Sequence, residues 1–211
     1  MDLGLRDRVY LVTGGTAGLG FATAQALVAD GAKVVVSSRS QESVDRAVNA
    51  LGDSAIGISA DNADPETPDR LIAAAREAFG RLDGALLSVG GPAAGGVMSN
   101  SDEQWRAAVD SVLLGSVRLA QAIAGSLTDG GSIAFVLSSS AKAPIAGLAI
   151  SNALRPGLAM FAKTMADELG PQGIRVNGLL PGRIDTDRVQ WLDGQSADPA
   201  ETRRRNESAI P

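Results

Sequence analysis

The chain of 211 residues contains no cysteine and no histidine. Without cysteine there is neither a disulfide nor a thiol nucleophile, and without histidine there is no Ser-His or Cys-His pair and no histidine-ligated metal site. No metal is expected. Aromatic residues make up 3%, with Tyr10 the single tyrosine, which leaves no stacking platform for nucleic-acid bases. Basic charge is also sparse. Lys+Arg number 19 against 24 Asp+Glu, a net charge of −5, and the one basic cluster is Arg203-Arg204-Arg205. Nucleic-acid binding by counterion release needs a basic surface that this balance does not supply. No run of ~18 apolar residues is present, and Met1 to Val9 holds two Arg and two Asp in place of an apolar leader. A soluble cytoplasmic protein is expected, with neither nucleic acid nor membrane as partner.

What is present suits one domain over 1–211, since 45% hydrophobic residues can fill a core. Short β-branched runs alternate with Ala-rich amphipathic stretches. Strands are expected at Arg8–Thr13, Lys33–Ser38, Ser54–Ser59, Asp83–Ser88, Gly131–Leu137 and Gly173–Leu180. The second is apolar without alternation, as in a sheet buried on both faces. Helices are expected from Gly18 to Asp30, Gln41 to Leu51, and from Asp64-Pro65 to about Gly80, with Asp64 as N-cap and Pro65 at the first helical position. Ser101 with Gln104 reads as a capping box for a helix to about Leu127, and another helix ends near Gly170. Six alternating strands and helices predict parallel pairing in a doubly wound three-layer α/β sheet.

Ligands in such sheets bind beyond the carboxyl ends of the strands. The first strand runs into Thr13-Gly14-Gly15-Thr16-Ala17-Gly18-Leu19-Gly20 and then a helix. Glycines there permit a tight turn and close approach to a pyrophosphate, and the helix N-terminus offers free N–H groups. No Lys-Ser/Thr follows, which disfavours an ATP or GTP loop. An acid at the end of the second strand would select NAD by holding the ribose 2′-hydroxyl. The sequence there is Ser37-Ser38-Arg39-Ser40, and Arg39 with the serine hydroxyls suits a 2′-phosphate, so NADP(H) is expected over NAD(H). The alternative for Arg39 is a solvated charge at a helix entry.

Thr13–Gly20 matches the Thr-Gly-x-x-x-Gly-x-Gly turn of the short-chain dehydrogenase/reductase family, which the chain resembles from Arg8 to about Thr186. Ala60-Asp61, Gly170–Asn177, Pro181-Gly182 and Thr186 fall in the family's order. The resemblance implies a Rossmann-type α/β/α sandwich of strand order 3-2-1-4-5-6, with a seventh strand missing from the present sequence. It implies that Gly14, Thr16, Gly18, Leu19 and Gly20 line the cofactor phosphates, with Ser38 and Arg39 at the ribose, Asp61 and Asn62 at the adenine, and Gly90 beyond strand four. Pro181, Gly182, Ile184 and Thr186 would hold the nicotinamide end. Asp61 as a turn former and Thr186 as a surface hydroxyl remain open.

The catalytic end departs from the family. Counting back from Glu168-Leu169, the family's Tyr position falls on Ser151, its Lys on Arg155, its upstream Ser on Ser138 and its helix Asn on Ser111. A serine hydroxyl is far less acidic than a phenol, and Arg155 stays charged and relays no proton. Tyr10 should lie buried in strand one. Pro156 should delay or kink the helix, with Ser151 as a cap the competing reading. Ser138, Ser151, Arg155 and Ser111 are the candidate catalytic residues.

The resemblance implies an NADP(H)-dependent oxidoreductase acting on a small carbonyl or imine with a non-typical active site. The alternative is an inactive NADP(H)-binding sensor or a structural subunit. Residues 187–206 are expected as a substrate lid, and the C-terminal part of the chain is expected to be absent. A homodimer or homotetramer is implied, and Trp105, Val109, Val112, Leu113, Met160, Phe161 and Met165 are either its contact or core.

Overall fold

The computed structural model describes residues 2–194 and 196–208. Met1–Leu180 and Pro181–Pro211 form separate compact units. The first contains a six-stranded parallel sheet of order β3-β2-β1-β4-β5-β6, as the resemblance implied. Its strands are β1 (Val9–Thr13), β2 (Lys33–Ser38), β3 (Ala55–Ser59), β4 (Gly84–Ser88), β5 (Gly131–Val136) and β6 (Ile174–Leu179). The helices are α1 (Gly18–Ala29), α2 (Gln41–Leu51), α3 (Thr67–Phe79), α4 (Asp102–Ala108), α5 (Gly115–Ser126) and α6 (Ala149–Leu169). The second unit has α7 (Asp187–Gly194) and α8 (Pro199–Ser208), and so takes in the segment expected as a lid.

Alternation along the strands divides the core. Leu11, Val35, Leu87, Ile133 and Phe135 pack with α3, α5 and α6. Val12, Val34, Val36 and Leu86 pack with α1 and α2. Phe135 meets Phe161 edge-on with ring centroids 6.3 Å apart, a geometry worth ~0.5–1.5 kcal/mol beyond the buried area. Val112 and Met165 are core, Trp105, Val109, Leu113 and Phe161 are half-buried against it, and Met160 is exposed. Residues Asp102–Ser126 form one helical stretch long and apolar enough to cross a membrane by composition alone. Leu119, Ala120 and Ile123 of that stretch belong to the core, where a core helix would place them.

At the amino ends of the strands, the buried carboxylate of Asp83 holds β1 and β4 in register. It accepts from Arg8 (2.6 Å), from Arg81 (2.7 and 2.8 Å) and from the Val9 N–H (2.8 Å). Burial alone would raise its pKa. The hydrogen bonds from Arg81, Val9 and Arg8 outweigh that and hold the carboxyl below the usual range.

Two local expectations need correction. The helix expected from Asp64-Pro65 begins at Thr67, with Glu66 at its cap and Pro68 in its first turn. Asp61 and Asp64 instead accept the N–H groups of Ala63 and Glu66, closing two turns ahead of the helix. Pro156 does not delay α6, which runs from Ala149 through it, and Ser151 lies inside the helix rather than at its cap. The first turn is anchored from outside. Asn152 Oδ1 accepts the Ile145 N–H and Nδ2 donates to the Ile145 carbonyl, both at 2.9 Å, while the Ala149 N–H donates to Gly95 O at 3.0 Å. One bond lost at Pro156 does not unseat a turn held at so many points.

Candidate active site

The cofactor end is built mostly from backbone. β1 ends at Thr13, whose hydroxyl donates to Ser88 O (3.2 Å) and accepts the Ser88 N–H (3.1 Å), tying together the two strands between which the sheet order reverses. Gly14 follows with φ of +57°, and a Cβ there would lie 2.4 Å from Ser88 O. A Cβ on Gly20 would lie 2.2 Å from Gly14 O, so the start of α1 closes on the turn only because both positions lack side chains. Ala17 provides no side-chain cap to α1, and the first turn has no acid. Its leading N–H groups therefore carry the helix's positive end uncapped by a side chain, as an anion site requires. Gly18 is exposed, and Thr16 and Leu19 are half-buried.

At the end of β2, Ser38 Oγ donates to Ser40 O (3.3 Å), and Ser59 Oγ on neighbouring β3 donates to the Arg39 carbonyl (3.2 Å). The backbone of Arg39 is thus held while its side chain stays exposed, with no partner among the described residues. Asp61 Oδ1 is engaged by the Ala63 N–H, the turn-forming role left open above. Asn62 is half-buried, and a Cβ on Gly115 would lie 2.3 Å from its carbonyl oxygen. Gly90 is exposed just beyond β4.

The remaining cofactor candidates lie in the second unit. Pro181 is half-buried, and Gly182 and Ile184 are exposed. Thr186 Oγ1 donates to Ile184 O at 3.4 Å, and its carbonyl accepts the N–H groups of Val189 and Gln190 at the start of α7. Within this unit Arg183 and Asn206 engage the buried Asp193.

The catalytic candidates after β5 and ahead of α5 each make a local hydrogen bond. Ser138 leaves β5 and its Oγ accepts the Ser140 N–H at 3.1 Å, capping a short 3-10 turn. The hydroxyl beside Ser151 belongs to Ser140 instead. The two Oγ atoms lie 3.1 Å apart and both residues are buried. Ser111 lies in a π-helical stretch, Val109–Leu114, between α4 and α5, and turns its hydroxyl back to Ala107 O at 2.7 Å. Single π turns inside α-helices often mark functional sites.

Arg155 is 4% exposed. Nη1 donates to Val136 O (3.1 Å) and Nη2 to Val89 O (3.3 Å), so the guanidinium bridges the carbonyls that end β5 and follow β4. Nε is buried with no partner. Burial lowers the guanidinium pKa to about 10, which leaves it charged at neutral pH. Tyr10 is half-buried rather than buried, and it pairs with Val34 and Gly84 near the amino end of the sheet, away from these groups. Burial and the nearby Asp83 raise its pKa, which further unsuits it as an acid.

Three residues escaped the sequence reading. Ser140 was hidden among three consecutive serines, Asn152 acts through loop backbone that no local pattern reveals, and Lys142 carries no motif. Ser140, Lys142 and Asn152, with Ala141, Ala143, Pro144 and Pro156, line a pocket of about 160 Å³ beside α6.

Comparison with known proteins agrees with this architecture. Residues 8–196 match the family model for short chain dehydrogenase. Human "Dehydrogenase/reductase SDR family member 4" is 36% identical over 202 residues, covering 92% of this chain and 73% of that protein. The L-sorbose reductase of Gluconobacter frateurii, solved with NADPH and L-sorbose, superposes with a TM-score of 0.88 at 27% identity, over 99% of this chain and 82% of that one. The 3-ketoacyl-(acyl-carrier-protein) reductase of Brucella melitensis, solved with NADH, gives 0.84 at 26% identity, over 88% and 79%.

Proposed function

Because this chain belongs to the short-chain dehydrogenase/reductase family, we propose that it is an NADP(H)-dependent oxidoreductase acting on a small carbonyl or imine compound through a non-typical active site. The observation that carries this reading is the turn from β1 to α1. Gly14 and Gly20 let backbone N–H groups face a pyrophosphate, and no side chain caps the helix there. Relatives solved with NADPH and with NADH both exist, so the choice rests on Arg39. It is an exposed guanidinium, free of partners among the described residues, where an acid would select NAD.

A bound nicotinamide would supply or accept the hydride. The protein's part is to bind, orient and stabilise charge. Thr13 and Ser88 fix the β1–β4 junction, and Gly90 follows it. The Ser140–Ser151 hydroxyl pair offers a hydrogen bond to a carbonyl oxygen, and the buried Arg155 places a permanent positive charge nearby in sequence and on the same helix. Such a site stabilises developing oxyanion charge electrostatically. It lacks the general acid that typically contributes ~10²–10⁴-fold, so turnover is expected to be slow. We further propose a homodimer or homotetramer, to whose contact the exposed Met160 is available, and a cytoplasmic location.

Calorimetric titration of the protein with NADPH and NADH, alongside Arg39→Asp, tests the reading. NADPH should bind at least ~10-fold tighter than NADH, and the variant should reverse the preference, a change of about 1.4 kcal/mol or more. Binding of neither nucleotide overturns the proposal. Binding without turnover against carbonyls and imines would assign the protein as a sensor or structural subunit.

A further inference from the structure

Two loops emerge at the carboxyl ends of β4 and β5, and they are stitched together. Gly95 bridges to Leu148, its N–H donates to Gly147 O at 2.7 Å, and its carbonyl accepts the Ala149 N–H at 3.0 Å. Together with β4, β5 and most of α6 they span residues 84–101 and 131–166. The first stretch holds no charged side chain. The second holds Lys142, Arg155 and Lys163 and no acid, in a chain that carries 24 acids and a net charge of −5. Lys163 is paired with Asp167 one helical turn on. Lys142 and Arg155 have no carboxylate partner among the described residues.

Lys142 lies two residues beyond Ser140, and Arg155 one helical turn beyond Ser151. Arg155 is buried with its Nε unpartnered. Lys142, exposed, lines the 160 Å³ pocket with Ser140, Asn152 and Pro156. A wall bare of carboxylates offers an acidic ligand no repulsion.

We propose that this pocket selects carbonyl substrates bearing a carboxylate, with Lys142 as the residue that engages the acid. The inference rests on the oxidoreductase reading and names the substrate class of that site. Neutral carbonyl compounds of the same size would lack the attraction to Lys142 and would bind less well.

The test uses the full chain saturated with NADP⁺ and titrated by calorimetry with butyrate and with the neutral isostere butyramide. Butyrate should bind about 10-fold tighter. Lys142→Ala, at an exposed position, should remove that preference without changing NADP⁺ affinity, and Lys142→Glu should invert it. In steady state, the KM for acetoacetate should rise towards that of methyl acetoacetate in Lys142→Ala. Equal binding of the two compounds, binding of neither, or a preference that survives in Lys142→Ala overturns the inference and leaves the oxidoreductase reading standing. Failure of NADP⁺ to bind in the first step overturns that reading, and this inference with it.

Discussion

The carboxyl ends of β1 and β4 are neighbours joined through Thr13 and Ser88, yet the two regions are built differently. Around β1 the family's pattern is intact because the site is made of backbone. Gly14 and Gly20 approach other main-chain atoms so closely that any side chain would collide. Around β4 and β5 the candidate site is made of side chains. There Ser140 and Ser151 pair through their hydroxyls, and the Arg155 guanidinium is tied to two strand-end carbonyls.

The comparison can be broken most severely at Gly20. Gly20→Val would press its Cβ into Gly14 O, and it is expected to cost about 2–3 kcal/mol of stability and to abolish NADPH binding, measured by denaturation and calorimetry. If the variant binds nucleotide normally, the backbone account of the β1 end is wrong.

Asp83 serves both regions equally, since it pins β1 to β4 at their amino ends. Asp83→Asn should cost about 1.5–3 kcal/mol and leave nucleotide affinity nearly unchanged. Because its folded pKa is lowered, its contribution is present above the unfolded value of ~3.9 and is lost as pH falls through the lower folded value. Wild-type protein should therefore lose stability below about pH 4 more steeply than the variant in acid titrations followed by circular dichroism.

The smallest effect is expected at Ser151. Ser151→Ala leaves the Ser140 hydroxyl without its partner, costs about 1 kcal/mol, and should slow turnover by less than ~10-fold, whereas loss of a true general acid would slow it ~10²–10⁴-fold. A large drop in kcat would show that Ser151 moves the proton after all.

The same division explains what could be read in advance. Strand order, the capping box at Ser101 and Gln104, and the glycine turn depend on local spacing and were legible. The start of α3 was misplaced because Asp61 and Asp64 close Asx turns that resemble a helix cap in sequence. The continuity of α6 through Pro156 depends on Asn152 and Gly95, which meet only in three dimensions. Ser140 rather than Ser138 partners Ser151 because the turn after β5 spends the Ser138 oxygen on its own backbone. The π turn around Ser111 has no sequence signature of its own.

The most direct test of a catalytic end that works by fixed charge rather than by a titrating acid is the pH profile of kcat, with NADPH and acetoacetate saturating. Serine hydroxyls do not titrate in the working range, and Arg155 keeps its charge throughout it, since burial lowers its pKa only to about 10. The rate should be flat from about pH 6 to about pH 9. An ionisation that controls the rate within the flat range would reveal a proton donor that this account does not contain, and would contradict it.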